Sequence, residues 1–133
     1  MKQITVSTSK RQELVDITDD VKKIVKSTSV KNGVCSIFTP HATAAIMINE
    51  NHDPKVCQDI IDCLNKLIPA GKWKHDRIDN NADSHIKSSI VGCSQTIPIK
   101  DSKLMLGVWQ AIMLADFDGP RERTIFVNIC EEK

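Results

Sequence analysis

Between Leu104 and Phe117 the chain reads LMLGVWQAIMLADF, apolar at both alternating positions. A strand with one wet face alternates apolar with polar, so an apolar run at both parities must be covered on both sides. The stretch is expected to be one strand buried by the core on one side and available to a neighbouring subunit on the other. Gln110 is the odd residue within it, and a buried amide must find partners.

The rest of the chain supplies the other layers. Strand patterns fall at Gln3–Ser7, about Glu13–Ile17, Val34–Thr39, Ala44–Asn49, Thr96–Ile99 and Thr124–Ile129. Thr18 can N-cap a short helix with Val21, Ile24 and Val25 on one face. Asp53 suits the N-cap of a longer one and Pro54 its first position, where a missing N–H costs nothing. Val56, Ile60, Ile61, Leu64, Leu67 and Ile68 then recur at helical spacing until Pro69 and Gly71. A short helix over about Ser84–Val91 stops at Gly92. Lys31-Asn32-Gly33, Asp101-Ser102-Lys103 and Asp118-Gly119-Pro120 read as turns. Strands dominate and helices do not alternate with them one for one, so the fold class is α+β.

A length of 133 residues suits one domain, 1–133, with a real core. Lys plus Arg number 18 against 17 for Asp plus Glu, leaving no net field to draw nucleic acid or an anionic membrane. Two Trp, three Phe and no Tyr make a poor base-stacking platform. The five cysteines contain no Cys-x-x-Cys pair and are expected to be small buried hydrophobes. The opening MKQITVSTSK has no apolar leader core and nothing later is long enough to span a bilayer, so the expected location is cytoplasmic.

Polar chemistry concentrates in two segments, TPHATAAIMINENHDP from Thr39 and HDRIDNNADSHIKSS from His75, which hold all four histidines. Imidazole changes charge near neutral pH and is the commonest metal ligand. His41 is expected at a sheet end, and Glu50 at another strand end aimed at the same edge. Asn49, Asn51 and Asp53 serve as turn and capping residues, or Glu50 and Asp53 hold a cation. His52 is expected in an exposed loop. His75, Asp79 and Asp83 recur every four residues with His85 two later, a set compatible with a transition metal but without a specific ligand motif. Lys87, Ser88 and Ser89 open a short helix, an arrangement that suits phosphate or a solvated face. Arg121 beside the Asp-Gly-Pro turn can clamp an oxyanion or pair on the surface, and Arg123 is expected as a surface ion-pair former. Trp109 is expected in the core or an interface.

HATAAIMINENHDP, HDRIDNNADSHIKSSIVGCSQTIPI and LGVWQAIMLADFDGPRER together resemble the YjbQ family, labelled secondary thiamine-phosphate synthases. The resemblance covers essentially the whole chain. It implies a compact, sandwich-like subunit of mixed or antiparallel sheet with a few short helices, assembled as a homotrimer. The implied reaction condenses an aminopyrimidine methyl diphosphate with a thiazole phosphate and releases pyrophosphate.

The family's polar positions fall on His41, Thr43, Asn49, Glu50, Asp53, His75, His85, Lys87, Ser88, Gly107, Trp109, Gln110 and Arg121. On this reading His41, Glu50, His75 and His85 are catalytic, while Thr43, Asn49, Lys87, Ser88, Gln110 and Arg121 hold a small phosphorylated or anionic substrate. A divalent metal is implied in one of two forms, zinc-like at His41, His75 and His85 or magnesium with the diphosphate, with Asp53 and Asp83 as oxygen ligands. The alternatives are a metal-dependent hydrolase or lyase built on the three histidines with Glu50 as base, and a non-catalytic trimeric ligand- or metal-binding module. The chain departs from the family pattern at Ser102, Val108 and Asp116.

Overall fold

A computed structural model describes residues 1–133. The elements run β1 (Lys2–Ser7), β2 (Glu13–Asp16), α1 (Thr18–Ser27), β3 (Gly33–Phe38), β4 (Ala44–Glu50), α2 (Pro54–Leu67), a 3-10 turn (Lys74–Arg77), α3 (Ala82–Val91), β5 (Ser94–Lys100), β6 (Lys103–Leu104), β7 (Gln110–Asp116) and β8 (Glu122–Glu131). Five strands form one sheet in the order β1-β8-β3-β5-β6, and three form a second in the order β2-β7-β4. Every strand pair is antiparallel. This is the expected α+β, sandwich-like architecture.

Alternation along the strands builds the core. Cys35 and Ile37 from β3, Ile97 and Ile99 from β5, and Ile125 and Val127 from β8 meet Ile46, Ile112 and Leu114 of the smaller sheet, all nearly or fully buried. Val21 and Val25 of α1 join the same cluster. On the far side of the smaller sheet, Ala45, Ala115 and Phe117 pack with Leu14, Met47, Leu64 and Val91, so side chains of α2 and α3 cover that face. Pairs of small alanines let the helices approach closely.

The apolar stretch from Leu104 to Phe117 divides in two. Ala111–Phe117 is buried at every position, as double coverage requires, but the second cover comes from α2 and α3 of the same chain. Lys103 and Leu104 instead pair with β5 in the larger sheet. Between them Gly107 donates its N–H to Gln110 Oε1 at 2.8 Å, closing a tight turn. Val108 is 88% exposed and Trp109 58% exposed, so hydrophobicity alone overextended the strand.

The caps follow local chemistry. Asp53 caps α2 by accepting the Lys55 N–H at 2.9 Å, with Pro54 at the first position. Thr18 begins α1 instead of capping it: the Asp16 carboxylate accepts the Thr18 N–H at 2.9 Å. Among the cysteines only Cys35 is buried; all five are free thiols. No helix is long and apolar enough to cross a membrane.

Candidate functional site

The loop before β4, the start of α3 and the β7–β8 turn meet at one end of the smaller sheet. The Thr39 hydroxyl donates to the Thr124 carbonyl at 3.0 Å, which lashes the His41 loop to β8. Ser88 donates to the Ala42 carbonyl and Ser84 to the Phe117 carbonyl, at 2.5 and 2.6 Å, fixing α3 over the same corner. Asn81 Nδ2 donates to Asp118 Oδ2 at 2.8 Å. These ties enclose an open pocket of about 470 Å³ walled by His41, Thr43, Asp79, Asn81, His85, Asp118, Arg121 and Arg123, with Ala42.

His41 has a defined tautomer there. The Thr124 N–H donates to its Nε2 at 2.9 Å, so Nε2 is the bare nitrogen and Nδ1 carries the proton. Burial first, and then the Arg123 charge, push its pKa below the usual value. Both effects oppose protonation. His41 is therefore a neutral N–H donor, not a base.

Arg123 is only 3% exposed, contrary to the expected surface residue. Its Nε and Nη2 grip Asp116 at 3.1 and 2.7 Å, and Nη2 also reaches Thr43 Oγ1 at 2.8 Å. Burial pushes the Asp116 carboxyl up, but the hydrogen bonds from Arg123, the Asp118 amide and Thr8 outweigh it and the net pKa is lowered. Separating such a buried pair costs about 3–5 kcal/mol because one charge is stranded. Arg121 is exposed, with Nε on the Asp118 carbonyl at 2.8 Å and Nη2 on the Asp118 carboxylate at 3.0 Å. His41 Nδ1, Arg121 Nη1 and Arg123 Nη1 have no hydrogen-bond partner in the chain.

His85 makes no side-chain hydrogen bond and meets His75 edge-on, ring centroids 5.0 Å apart. His75 Nε2 lies 3.6 Å from Asp79 Oδ2. The structure thus brings His41, His85, Thr43 and Arg121 to one pocket, with His75 behind His85 in an adjoining hollow lined by Trp73 and Ile86. A larger cavity of about 690 Å³ opens near Asn32, Pro98 and Glu132, and it holds no histidine and none of the expected site residues.

Other expected members go elsewhere. Lys87 is 1% exposed and donates to Gln12, Asn65 and Asp83 at 3.2, 2.7 and 3.0 Å, which occupies all three ammonium protons. Asp83, 0% exposed, is held by that lysine and by Arg11 at 2.9 Å. These two form an internal network and are unavailable to phosphate or metal. Ser88 is spent on Ala42, and Asp53 on its helix cap.

Glu50 stands at the opposite end of β4 from His41, about 20 Å away at the rise of an extended strand. The two do not share an edge, because one strand separates them. Asn49 and Gln110 lie with Glu50 at that far end, where β4 and β7 pair Glu50 with Gln110. Gln110 is exposed, not a buried amide. His52 is the exposed loop residue expected of it, tilted against Trp109 at 5.4 Å between ring centroids. No three His, Cys, Asp or Glu side chains are placed to share a metal ion. With His41 Nε2 already an acceptor and no three ligands grouped, the three-histidine site, and a hydrolase built on it, does not assemble here, while Asp53 and Asp83, the expected oxygen ligands, are engaged by a helix cap and by Lys87 and Arg11.

Asn81, Asp118 and Arg123 were not expected in the site. Arg123 had a signal: it shares the parity of Ile125, Val127 and Ile129, the inward face of β8. Asn81 and Asp118 read as loop and turn residues, and only their mutual hydrogen bond reveals the corner they build.

The family model for UPF0047 protein YjbQ-like matches residues 2–132. A UPF0047 protein of Methanocaldococcus jannaschii is 52% identical over 96% of this chain and 92% of its own. A conserved yjbq/upf0047 family protein from Clostridium acetobutylicum, described as uncharacterized, superposes with a TM-score of 0.94 at 44% identity, over 98% of this chain and 100% of that one. A YbjQ-like protein of unknown function from Sulfolobus solfataricus P2 reaches 0.95 at 44% identity, over 98% and 96%. None of these relatives is described as making thiamine phosphate. That expected activity is overturned, in keeping with Lys87, Ser88 and Asp83 being internal to the fold.

Proposed function

This chain belongs to the YjbQ-like UPF0047 family, and on that premise we propose that the pocket at the β7–β8 turn binds a small anion of the phosphate-ester class. The carrying observation is that His41, Arg121 and Arg123 all belong to the wall of one pocket, and that His41 Nδ1, Arg121 Nη1 and Arg123 Nη1 are not used by the protein. Two guanidinium groups and a neutral N–H donor make charge-assisted hydrogen bonds to anionic oxygens, and the guanidinium groups are already held in place by Asp116 and Asp118. His85 shares the pocket with its ring nitrogens unpartnered, so it is the side chain free to pass a proton to or from a bound ligand.

The experiment is a calorimetric titration with inorganic phosphate of the wild type and Arg121→Gln. Arg121 is exposed, so the variant should fold normally while binding phosphate roughly tenfold more weakly. Equal affinity in the two proteins would reject the assignment.

We further infer that the chain self-associates, as a trimer, through the outer face of the larger sheet. Phe38 and Phe126 lie opposite each other there, as do Val34 and Cys130, among Thr5, Ser36, Thr96 and Asn128, without a charge between them. An uncharged centre to this face, with Phe38 40% exposed and the charges of Lys100 and Glu122 at its margins, supports a protein contact. Exposed thiols at Cys63, Cys93 and Cys130 support a reducing, cytoplasmic setting.

A further inference from the structure

A phosphate ester carries a second group, and the corner has a place for it. The hollow beside the anion pocket measures about 300 Å³ and is walled by Trp73, His75, Ala82, His85 and Ile86. His85 lines both spaces. The border between them is short, since Asn81 and Ala82 are consecutive and His75 Nε2 stands 3.6 Å from Asp79 Oδ2 across it. Both spaces open to solvent, so one ligand can span them over the His85 ring.

The two spaces differ in chemistry. The pocket is charged, whereas the hollow presents aromatic rings and an aliphatic side chain. Trp73 has spent its polar groups: the indole N–H donates to the Pro69 carbonyl at 2.8 Å and the backbone N–H to Asp76 at 3.0 Å. The ring is thereby anchored at 37% exposure with carbon surface left to offer. Ile86 is half-buried in the same hollow, and Ile90, one turn along α3, is 66% exposed, so the helix leaves an apolar strip uncovered. Asp79 and Asp118 also line the pocket, and a second negative charge on the ligand would meet them. We propose that the ligand is a phosphate monoester of an apolar, uncharged alcohol or phenol, its phosphate on the arginine side and its carbon body over Trp73 and Ile86. This deepens, and rests on, the anion-binding assignment. The carbon body gains by leaving water against the ring, which a charged or heavily hydroxylated body does not.

Methyl phosphate, 2-aminoethyl phosphate and phenyl phosphate carry one anionic group on different bodies, and at pH 8 each phosphate is doubly ionised. Titrated calorimetrically into the wild-type protein, phenyl phosphate should be the tightest of the three and bind roughly tenfold more tightly than methyl phosphate. In Trp73→Ala the ratio of the phenyl and methyl affinities should fall to near parity, and a ratio that stays at the wild-type value would overturn the placement. Equal wild-type affinities for phenyl and methyl phosphates would overturn this inference and leave the anion site standing. Tightest binding by 2-aminoethyl phosphate, drawn to Asp79, would overturn it as well. If none of the three binds, the anion assignment itself fails and this inference with it. Should Trp73→Ala not fold, the indole N–H resonance of Trp73 in the wild type decides. Phenyl phosphate should move it and methyl phosphate should not; a resonance indifferent to phenyl phosphate rejects the proposal.

Discussion

At the level of single residues, the site is governed by which polar groups the fold has already committed. Lys87 looks like a phosphate ligand in sequence because it follows a helix start beside serines, yet its three protons are consumed inside the protein. Sequence periodicity places such a lysine on a helix but carries no information on Gln12 and Asn65, which arrive from other elements. Arg123 is the reverse case, an apparently ordinary surface arginine whose strand parity points it into the core. His41 gives a pH signature. Its folded-state pKa is lowered, so the unfolded ring, near pH 6.5, takes up a proton first as pH falls. The stability it contributes is complete above about pH 6.5 and is lost as pH drops toward the folded value. Urea unfolding between pH 7.5 and 5 should show a smaller loss for His41→Gln, whose amide oxygen can still accept the Thr124 N–H, than for the wild type. An identical pH slope in both proteins would contradict the neutral, half-buried role given to this ring. The lowered carboxyls of Asp83 and Asp116 act in a separate window, holding stability above about pH 4 and losing it below.

At the level of elements, the strands and helices were legible wherever local chemistry fixes them. Asp53 and Pro54 announced α2, and Gly92, at φ +97°, ends α3 where a left-handed residue is required. What local pattern misses is the partner of each strand. β1 and β2 adjoin in sequence but enter different sheets, and β6 leaves the apolar run of β7 to join the larger sheet. The Asp-Gly-Pro turn was visible as a turn, but not its closeness: a Cβ on Gly119 would stand 2.3 Å from the Lys10 carbonyl oxygen. α2 is the least anchored of the three α-helices, since none of its residues is fully buried, while Ala111–Asp116 of β7 is buried throughout. Native-state hydrogen exchange should therefore find the α2 amides opening well before those of β4 and β7. Equal protection of α2 and β7 would show that the helix is held by more than its half-buried face.

At the level of the whole molecule, the first polar segment does not stay together, and only its His41 end meets His85 of the second. β4 runs within it, carrying His41 to one end of the smaller sheet and Glu50, with Gln110 and His52, to the other. A linear reading cannot see this, because both ends of the segment look equally polar and the strand between them has no marker of direction. The uncharged centre of the outer face of the larger sheet was likewise invisible until the register set Phe38 opposite Phe126. Light scattering after size exclusion should give a trimer for the wild type and a smaller species for Phe126→Glu, and a monomeric wild type would remove that assembly. The central claim is that one corner of the fold presents His41 as a neutral donor to an anion. It is tested most directly by nitrogen-detected NMR of the His41 ring at pH 7.5, with and without inorganic phosphate. The expected spectrum has the proton on Nδ1, a bare Nε2, and an Nδ1–H resonance that moves as phosphate is added. A proton on Nε2, or an Nδ1 signal indifferent to saturating phosphate, would contradict it.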